Sequence, residues 1–320
     1  MASDVLKSYI RAMALPGASI GRATLLIVVS AICFGSISVL TVLTTGAGVP
    51  LLTAMAWRYV IAAVLLCLAP QVRAIRKIPR ARLVELLVIG GFGQALITYL
   101  SLHALQYIRV GPLAFLFYTY PAWVAILAAI RRTERLNPAR IVALLLALSG
   151  VTIMVGAPTD KLNSIGVALA LASALLYSAY LPALERAQHG TPAVVSTFVL
   201  IAGAAISFVI AAMVSGELFL PAGKEVWANI FLLAFASTVI AFAFLIAGLA
   251  VLGPVRTAII ATVEPFFTAL LGVVVLGNRF QSSTLIGGVL IGTAVLMIEW
   301  SSGRSEIRMR LPDVGDARSQ

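Results

Sequence analysis

One carboxylate, Glu264, stands directly before a proline in the stretch Gly253 to Thr268 (GPVRTAIIATVEPFFT), inside a segment apolar from about Pro254 to Leu276. A charge in such a segment costs about 2.5–3.5 kcal/mol on membrane-insertion scales, so it needs a reason. With Thr257, Ala261 and Thr268 it forms a small, polar stripe at helical spacing that should face a partner helix or a cavity. Two readings fit. Glu264 is a ligand for a substrate ammonium or a carrier of protons, or it is a hydrogen-bonded acid that locks its span to a neighbour.

Other candidates carry the same two-sided reading. Arg58 lies about seven residues into an apolar run; it binds an anionic substrate group, or it snorkels or pairs for folding. His103, four residues after Tyr99, has a side chain that titrates near neutrality and suits a proton relay, or simply a hydrogen bond near an interface. Gln94, Thr98 and Ser101 share one helical face, and Ser173, Tyr177 and Tyr180 roughly share another. With Tyr118 and Tyr120 they make a modest polar cavity wall, or hydrogen bonds between packed helices. Pro121 and Pro265 each remove a backbone hydrogen bond and are expected to bend their spans, an arrangement suited to gating.

The elements that must position these groups are set by composition. The chain is 61% hydrophobic and 11% charged, against about 25% charged in soluble proteins. That balance requires a membrane. The net charge of +11 does not indicate nucleic acid, because the basic residues lie between apolar runs instead of clustering on a soluble face. Two cysteines, Cys33 and Cys67, and two histidines leave no disulfide framework and no expected metal site or cofactor. No HExxH, GxSxG, paired-aspartate or Walker sequence occurs, so neither catalysis nor direct use of ATP is expected. Gly90, Gly91 and Gly93, and Gly287, Gly288 and Gly292, read as close-packing faces. Trp57, Trp123, Trp227 and Trp300 fall near span ends and read as interfacial anchors.

About 20 apolar residues cross a bilayer. On that ruler ten spans are expected, at approximately 23–43, 51–70, 83–104, 110–130, 139–156, 165–184, 193–214, 226–250, 254–276 and 282–300. The first is longer than a signal-peptide core and is read as retained. With the N-terminus cytoplasmic, eighteen Lys and Arg residues fall on the cytoplasmic side and four (Arg109, Lys161, Lys224, Arg279) outside, with Arg58 within a span. The positive-inside rule therefore favours ten spans and cytoplasmic termini. A shift of about 144 positions lays spans three to five over eight to ten, with Pro121 on Pro265 and Arg135 on Arg279. A shift of 143 brings Phe34 onto Tyr177. Five spans per repeat is an odd number, so the halves are expected to sit inverted, with a site between them at mid-membrane. The expected units are a tail at 1–22, five-helix repeats at 23–156 and 165–300, and a basic, disordered tail at 301–320 near anionic lipid.

Certain short motifs recur in order across the chain: Cys33-Phe34-Gly35-Ser36, Trp57-Arg58-Tyr59, Tyr120-Pro121, Thr133-Glu134-Arg135-Leu136 and Leu148-Ser149-Gly150-Val151. The second half supplies Leu252-Gly253, Val263-Glu264-Pro265 and Leu276-Gly277-Asn278-Arg279. In these the chain resembles the EamA-type branch of the drug/metabolite transporter superfamily, from Ala23 to about Trp300. The resemblance implies an all-α integral membrane protein of ten transmembrane helices, built as two inverted five-helix repeats around a central cavity. It also implies transport, commonly export, of a small polar or amphipathic metabolite such as an amino acid. Relatives often carry Glu where this chain has Asn278, so no role of that acid transfers, while Glu134 keeps it in the first half. The alternative within the same fold is a flippase for lipids or lipid-linked head groups. A bacterial inner-membrane location, with a small-molecule substrate and membrane lipid as partners, completes the expectation; nucleic acid is not a partner, and a homodimer is left open.

Overall fold

The computed structural model describes residues 20–108, 110–133, 137–155, 162–277 and 281–310. Glu134, Arg135, Asn278, Arg279, Arg109, Lys161 and the terminal stretches 1–19 and 311–320 lie outside the described residues. Within hydrocarbon a backbone must satisfy its own hydrogen bonds, which an apolar chain does by becoming helical. Every regular element among the described residues is a helix.

The order is α1 (Ile20–Gly46), α2 (Leu51–Cys67), α3 (Arg80–Gln106), α4 (Val110–Phe117), α5 (Tyr120–Ile130), α6 (Pro138–Val155), α7 (Ser164–Gln188), α8 (Ala193–Val214), α9 (Lys224–Ala261), α10 (Glu264–Leu276) and α11 (Ser282–Arg310). Seven helical stretches among the described residues are long and apolar enough to cross a membrane: α1, α3, 112–130, α6, α7, α8 and α9. An eighth appears if α2 is taken with the 3-10 helix Pro70–Lys77, which turns 86° away from it. Glu264–Leu276 and Ser282–Ile298 are shorter apolar helices. The 3-10 helix buries Val72 and leaves Arg73, Arg76 and Lys77 exposed at that end of the bundle.

Departures from regular helix shape the interior of the bundle. The helix α3 widens to a π-helix at Leu86–Phe92, and α9 does the same at Phe235–Ile240. These are the third helices of the two halves. The helix α9 also breaks at Gly253, whose φ of 75° and ψ of 170° are left-handed and extended, before Pro254. A glycine tolerates that conformation and a side chain does not. The sequence predicts bends at the prolines themselves. The breaks fall two residues earlier, at 118–119 and 262–263, and Pro121 and Pro265 each occupy the first turn of the next helix. Proline's fixed φ suits that turn, where no backbone N–H is needed. The last helix runs to Arg310, through residues expected to form the start of a disordered tail. The apolar ruler measures the bilayer crossing and not the helix that continues beyond it.

The helices pack in an exchanged pattern. The helix α1 lies against α9 and α10, while α7 lies against α3, α4 and α5; α2 pairs with α8, and α6 with α11. A repeat that maps α1 onto α7 and α3–α5 onto α9–α10 converts each of these pairings into another or into itself. Small residues permit the closest approaches, since apolar side chains alone give membrane helices little reason to associate. A methyl added at Gly91 of α3 would lie 2.5 Å from Gly203 Cα of α8, and one at Gly150 of α6 would lie 2.7 Å from the Gly287 oxygen of α11. One at Gly248 of α9 would meet Ile27 of α1 at 2.5 Å. Trp57 and Trp227 do more than anchor: their indole N–H groups donate to the Phe219 and Pro221 carbonyls (2.9 and 2.8 Å), holding the loop after α8. Trp123 and Trp300 are exposed, as interfacial residues would be.

Overpacking at a backbone contact has a predictable effect. Gly91→Ala should lower stability by about 1–3 kcal/mol, read from thermal unfolding of the purified protein. Gly292→Ala, where a methyl meets nothing within 4 Å, should not lower the midpoint, because alanine suits a helix interior better than glycine by about 0.5–1 kcal/mol.

Candidate functional site

The breaks in the two halves are built alike. In each, a threonine turns back on the preceding helix: Thr119 Oγ1 donates to the Leu116 carbonyl (2.7 Å), and Thr262 Oγ1 to the Ile259 carbonyl (2.6 Å). The same two carbonyls accept the backbone N–H of these threonines, which tightens the turn to 3-10 geometry. Pro121 and Pro265 have no N–H to return to Phe117 and Ala261. The turns bring Tyr118 and Glu264 into the wall of one cavity at mid-bundle. Tyr120 and Tyr177 line the same cavity.

Gly35 of α1 makes this junction possible. A Cβ there would sit 3.1 Å from both the Glu264 carbonyl oxygen and the Thr268 nitrogen. Bare backbone on α1 therefore lies directly against the first turn of α10.

Glu264 lines a cavity of about 320 Å³. At mid-bundle depth the cavity is bounded by Phe34 of α1, Arg58 and Tyr59 of α2, Gln94 of α3, Phe117 at the end of α4, Tyr118 in the break, Tyr120 of α5, Tyr177 of α7 and Phe242 of α9. From there its walls climb through Thr41 and Thr45, and through Ser101 and Gln106, to the end where α1 meets α2 and α3 meets α4. Toward the other end the helices close: Ser30 Oγ donates to the Ala241 carbonyl (2.7 Å), Gln188 Nε2 donates to the Ile246 carbonyl (3.2 Å), and Gly248 abuts Ile27.

The rings are mutually supported. Tyr120 and Tyr177 meet edge to face at 4.7 Å between centroids, Phe34 and Phe242 at 5.0 Å, and Tyr177 stacks on Tyr180 at 5.8 Å. Such geometries match the favoured aromatic arrangements and hold the rings in place.

Arg58 is 1% exposed. Its Nε donates to Thr238 Oγ1 (2.6 Å), its Nη2 to the Ser237 carbonyl (3.0 Å), and its Nη1 weakly to Met55 Sδ (3.7 Å). Both oxygen acceptors belong to the π-helical turn of α9. There Thr238 reaches five residues back to the Leu233 carbonyl (2.7 Å). The guanidinium has five N–H donors, so part of the fork is left for the cavity. Arg58 and Glu264 line the same space and form no ion pair with each other. Three buried oxygens in the lining, Thr41 Oγ1, Tyr59 Oη and Gln94 Oε1, have no protein partner, while Gln94 Nε2 donates to Thr98 Oγ1 (3.0 Å). Leaving such atoms unsatisfied costs about 1–3 kcal/mol each.

Of the residues singled out in the sequence, Glu264, Arg58, Gln94, Tyr177 and Tyr118 line this cavity, and Tyr99 and His103 do not. Those two stack on each other at 5.1 Å, with Tyr99 38% exposed on the outer side of α3. Pro265 contributes to an adjoining space, and Pro121 is buried in the bundle. Sequence reasoning passed over Phe34, Tyr59, Phe117 and Phe242 as lining residues. Only the alignment of Phe34 with Tyr177 hinted at one of them. Among the described residues no three His, Cys, Asp or Glu side chains gather as a metal site would need.

The fold that carries this cavity is shared with known proteins. The model of the EamA-like transporter family matches residues 21–156 and again residues 164–300. The chain belongs to the EamA-like transporter family, within the drug/metabolite transporter superfamily. It is a multi-pass membrane transporter with a two-repeat architecture. A protein of known crystal structure superposes with a TM-score of 0.73 over 90% of this chain and 100% of its own, at 21% identity, and so shares the fold. A search of curated proteins returned no match.

The Arg58 contacts separate two kinds of loss. Thr238→Val strands a buried guanidinium N–H and should cost about 1–3 kcal/mol of stability. Ser237→Ala keeps the backbone acceptor and loses only the 2.6 Å hydroxyl contact with Ser36, so its unfolding midpoint should fall less, by an amount equivalent to about 0.5–1.5 kcal/mol.

Proposed function

We propose that this protein is a secondary transporter working by alternating access on a small zwitterionic or amphipathic metabolite such as an amino acid. One observation carries the reading. Two groups able to carry opposite charges, Glu264 and Arg58, line a single aromatic-walled cavity without pairing with each other. Separated charges near a bilayer centre are expensive, and a ligand bearing an ammonium and a carboxylate offsets both. In this reading Glu264 takes the ammonium, or a proton when the cavity is empty. The free edge of the Arg58 fork takes the carboxylate, and Gln94, Tyr118 and Tyr177 orient the rest. Tyr99 and His103 would then serve α3 on its outer side, not the ligand.

The transmembrane arrangement belongs to the same proposal. Counting the break at Gly253 as a turn gives ten crossings, and five per repeat makes the repeats inverted. The exposed Arg73, Arg76 and Lys77 support a cytoplasmic end there. The cavity then reaches the outer face, the closed end faces the cytoplasm, and both termini are cytoplasmic. The reading places the protein in a bacterial inner membrane and favours export. Opening the closed end requires α1 and α9 to part at Ile27 and Gly248. Pro121 and Pro265 lie where each half already lacks a backbone bond, so rocking there breaks none.

The test is counterflow of radiolabelled L-amino acids in proteoliposomes, with internal pH followed in parallel. Glu264→Gln should abolish proton movement and raise the half-saturating concentration at least tenfold, the loss expected for a charged hydrogen bond of about 1.5–3 kcal/mol. Unchanged flux and coupling would make Glu264 structural.

A further inference from the structure

A second space of about 300 Å³ adjoins the central cavity. Ser38, Val42, Ala114 and Tyr118 line both, so the two communicate along α1 and the end of α4. The remaining walls come from Val39 of α1, Met154 and Val155 of α6, and Ala269, Gly272 and Leu276 of α10 among others. The lining carries no charge. Of its three hydroxyl groups, Thr268 donates to the Glu264 carbonyl (3.1 Å), and Tyr118 belongs to the Glu264 cavity as well. Tyr118 thus stands in the common wall of the two spaces. Val42 and Leu276, at 44% and 39% exposed, carry the chamber's rim to the flank of the bundle.

We propose that this side chamber is a subsite for the apolar tail of the transported molecule, whose ammonium head sits at Glu264. The substrate class is then a cationic or zwitterionic amphiphile with an alkyl or aryl tail, not a small polar amino acid. Apolar cavities of this kind favour apolar occupants, and a void of about 150 Å³ already holds benzene. Twice that volume takes a chain of several carbons or two rings. The two chambers divide the work by chemistry: hydrogen bonding and charge on the Glu264 side, area burial on the other. The proposal rests on the reading of Glu264 as head-group ligand.

The probe is a series of n-alkylammonium ions from propyl to decyl, titrated into the purified full-length protein. In the wild type, affinity should rise about fourfold per methylene, the factor equivalent to about 0.8 kcal/mol, until the chamber is filled. Ala269→Phe and Val155→Phe, on different helices, should each flatten the series while changing propylammonium affinity less than twofold. Glu264→Gln should weaken every member and leave the slope intact. A slope unchanged in both phenylalanine variants, or no gain with length in the wild type, overturns the tail chamber. If Glu264→Gln still weakens every member, the head-group reading survives that failure. Binding indifferent to Glu264→Gln removes the head-group reading instead, and absence of binding by any member overturns both.

Discussion

Everything in this molecule is organised by one constraint: a backbone in hydrocarbon cannot leave N–H and C=O groups unpaired toward lipid. Irregular backbone is therefore confined to places covered by protein or facing a cavity. The turn at 118–119 and the π-helical segment at Phe235–Ile240 obey this directly: Tyr118 lines the cavity, and Ser237 and Thr238 hold Arg58. The turn at 262–263 delivers Glu264 to the same place. The π-helical segment of α3 lies against α8 through Gly91 and Gly203. Two of these irregular places, the turns at 118–119 and 262–263, thus deliver Tyr118 and Glu264 to the site.

The polar groups at the centre depend on glycines elsewhere. Gly35 lets α1 lie on the Glu264 backbone, and Gly248 lets α9 lie on Ile27. The first contact fixes the depth of the carboxylate, and the second closes the passage on one side of it. Burial of Arg58 obeys the same logic, because a guanidinium is held at mid-bundle only where a widened helical turn supplies a carbonyl and a threonine hydroxyl together. Ion pairing is not what keeps it there. This leaves its charge available to something other than the protein.

Much of this was legible in the residues. The charge of Glu264, the paired prolines and the spacing of apolar runs point to membrane helices around a polar centre, and five of the seven binding candidates line the cavity. What was hidden had physical causes. Phe34, Phe117 and Phe242 carry no sequence signal of their own for a wall, because an aromatic ring satisfies hydrocarbon and a cavity wall equally well. The Tyr99–His103 pair has the polarity of a site, but Tyr99 sits about 100° around α3 from the lining residue Thr98. The break positions were missed by two residues because proline starts the new helix instead of ending the old one.

The widened turn in α9 has a consequence of its own. A π-helical turn inserts a residue into a helix, and one residue corresponds to about 100° of rotation. Phe242 lies just beyond Phe235–Ile240, so its direction is set by that insertion as well as by its own packing. Deleting one residue there would swing Phe242, Gly248 and the helix as far as Gly253 around the axis together. The aromatic wall and the closed end would be lost in the same step, with no wall residue altered. The cavity is in this sense a matter of counting: its shape depends on a phase offset stored in the backbone, which substitutions at the wall itself leave untouched.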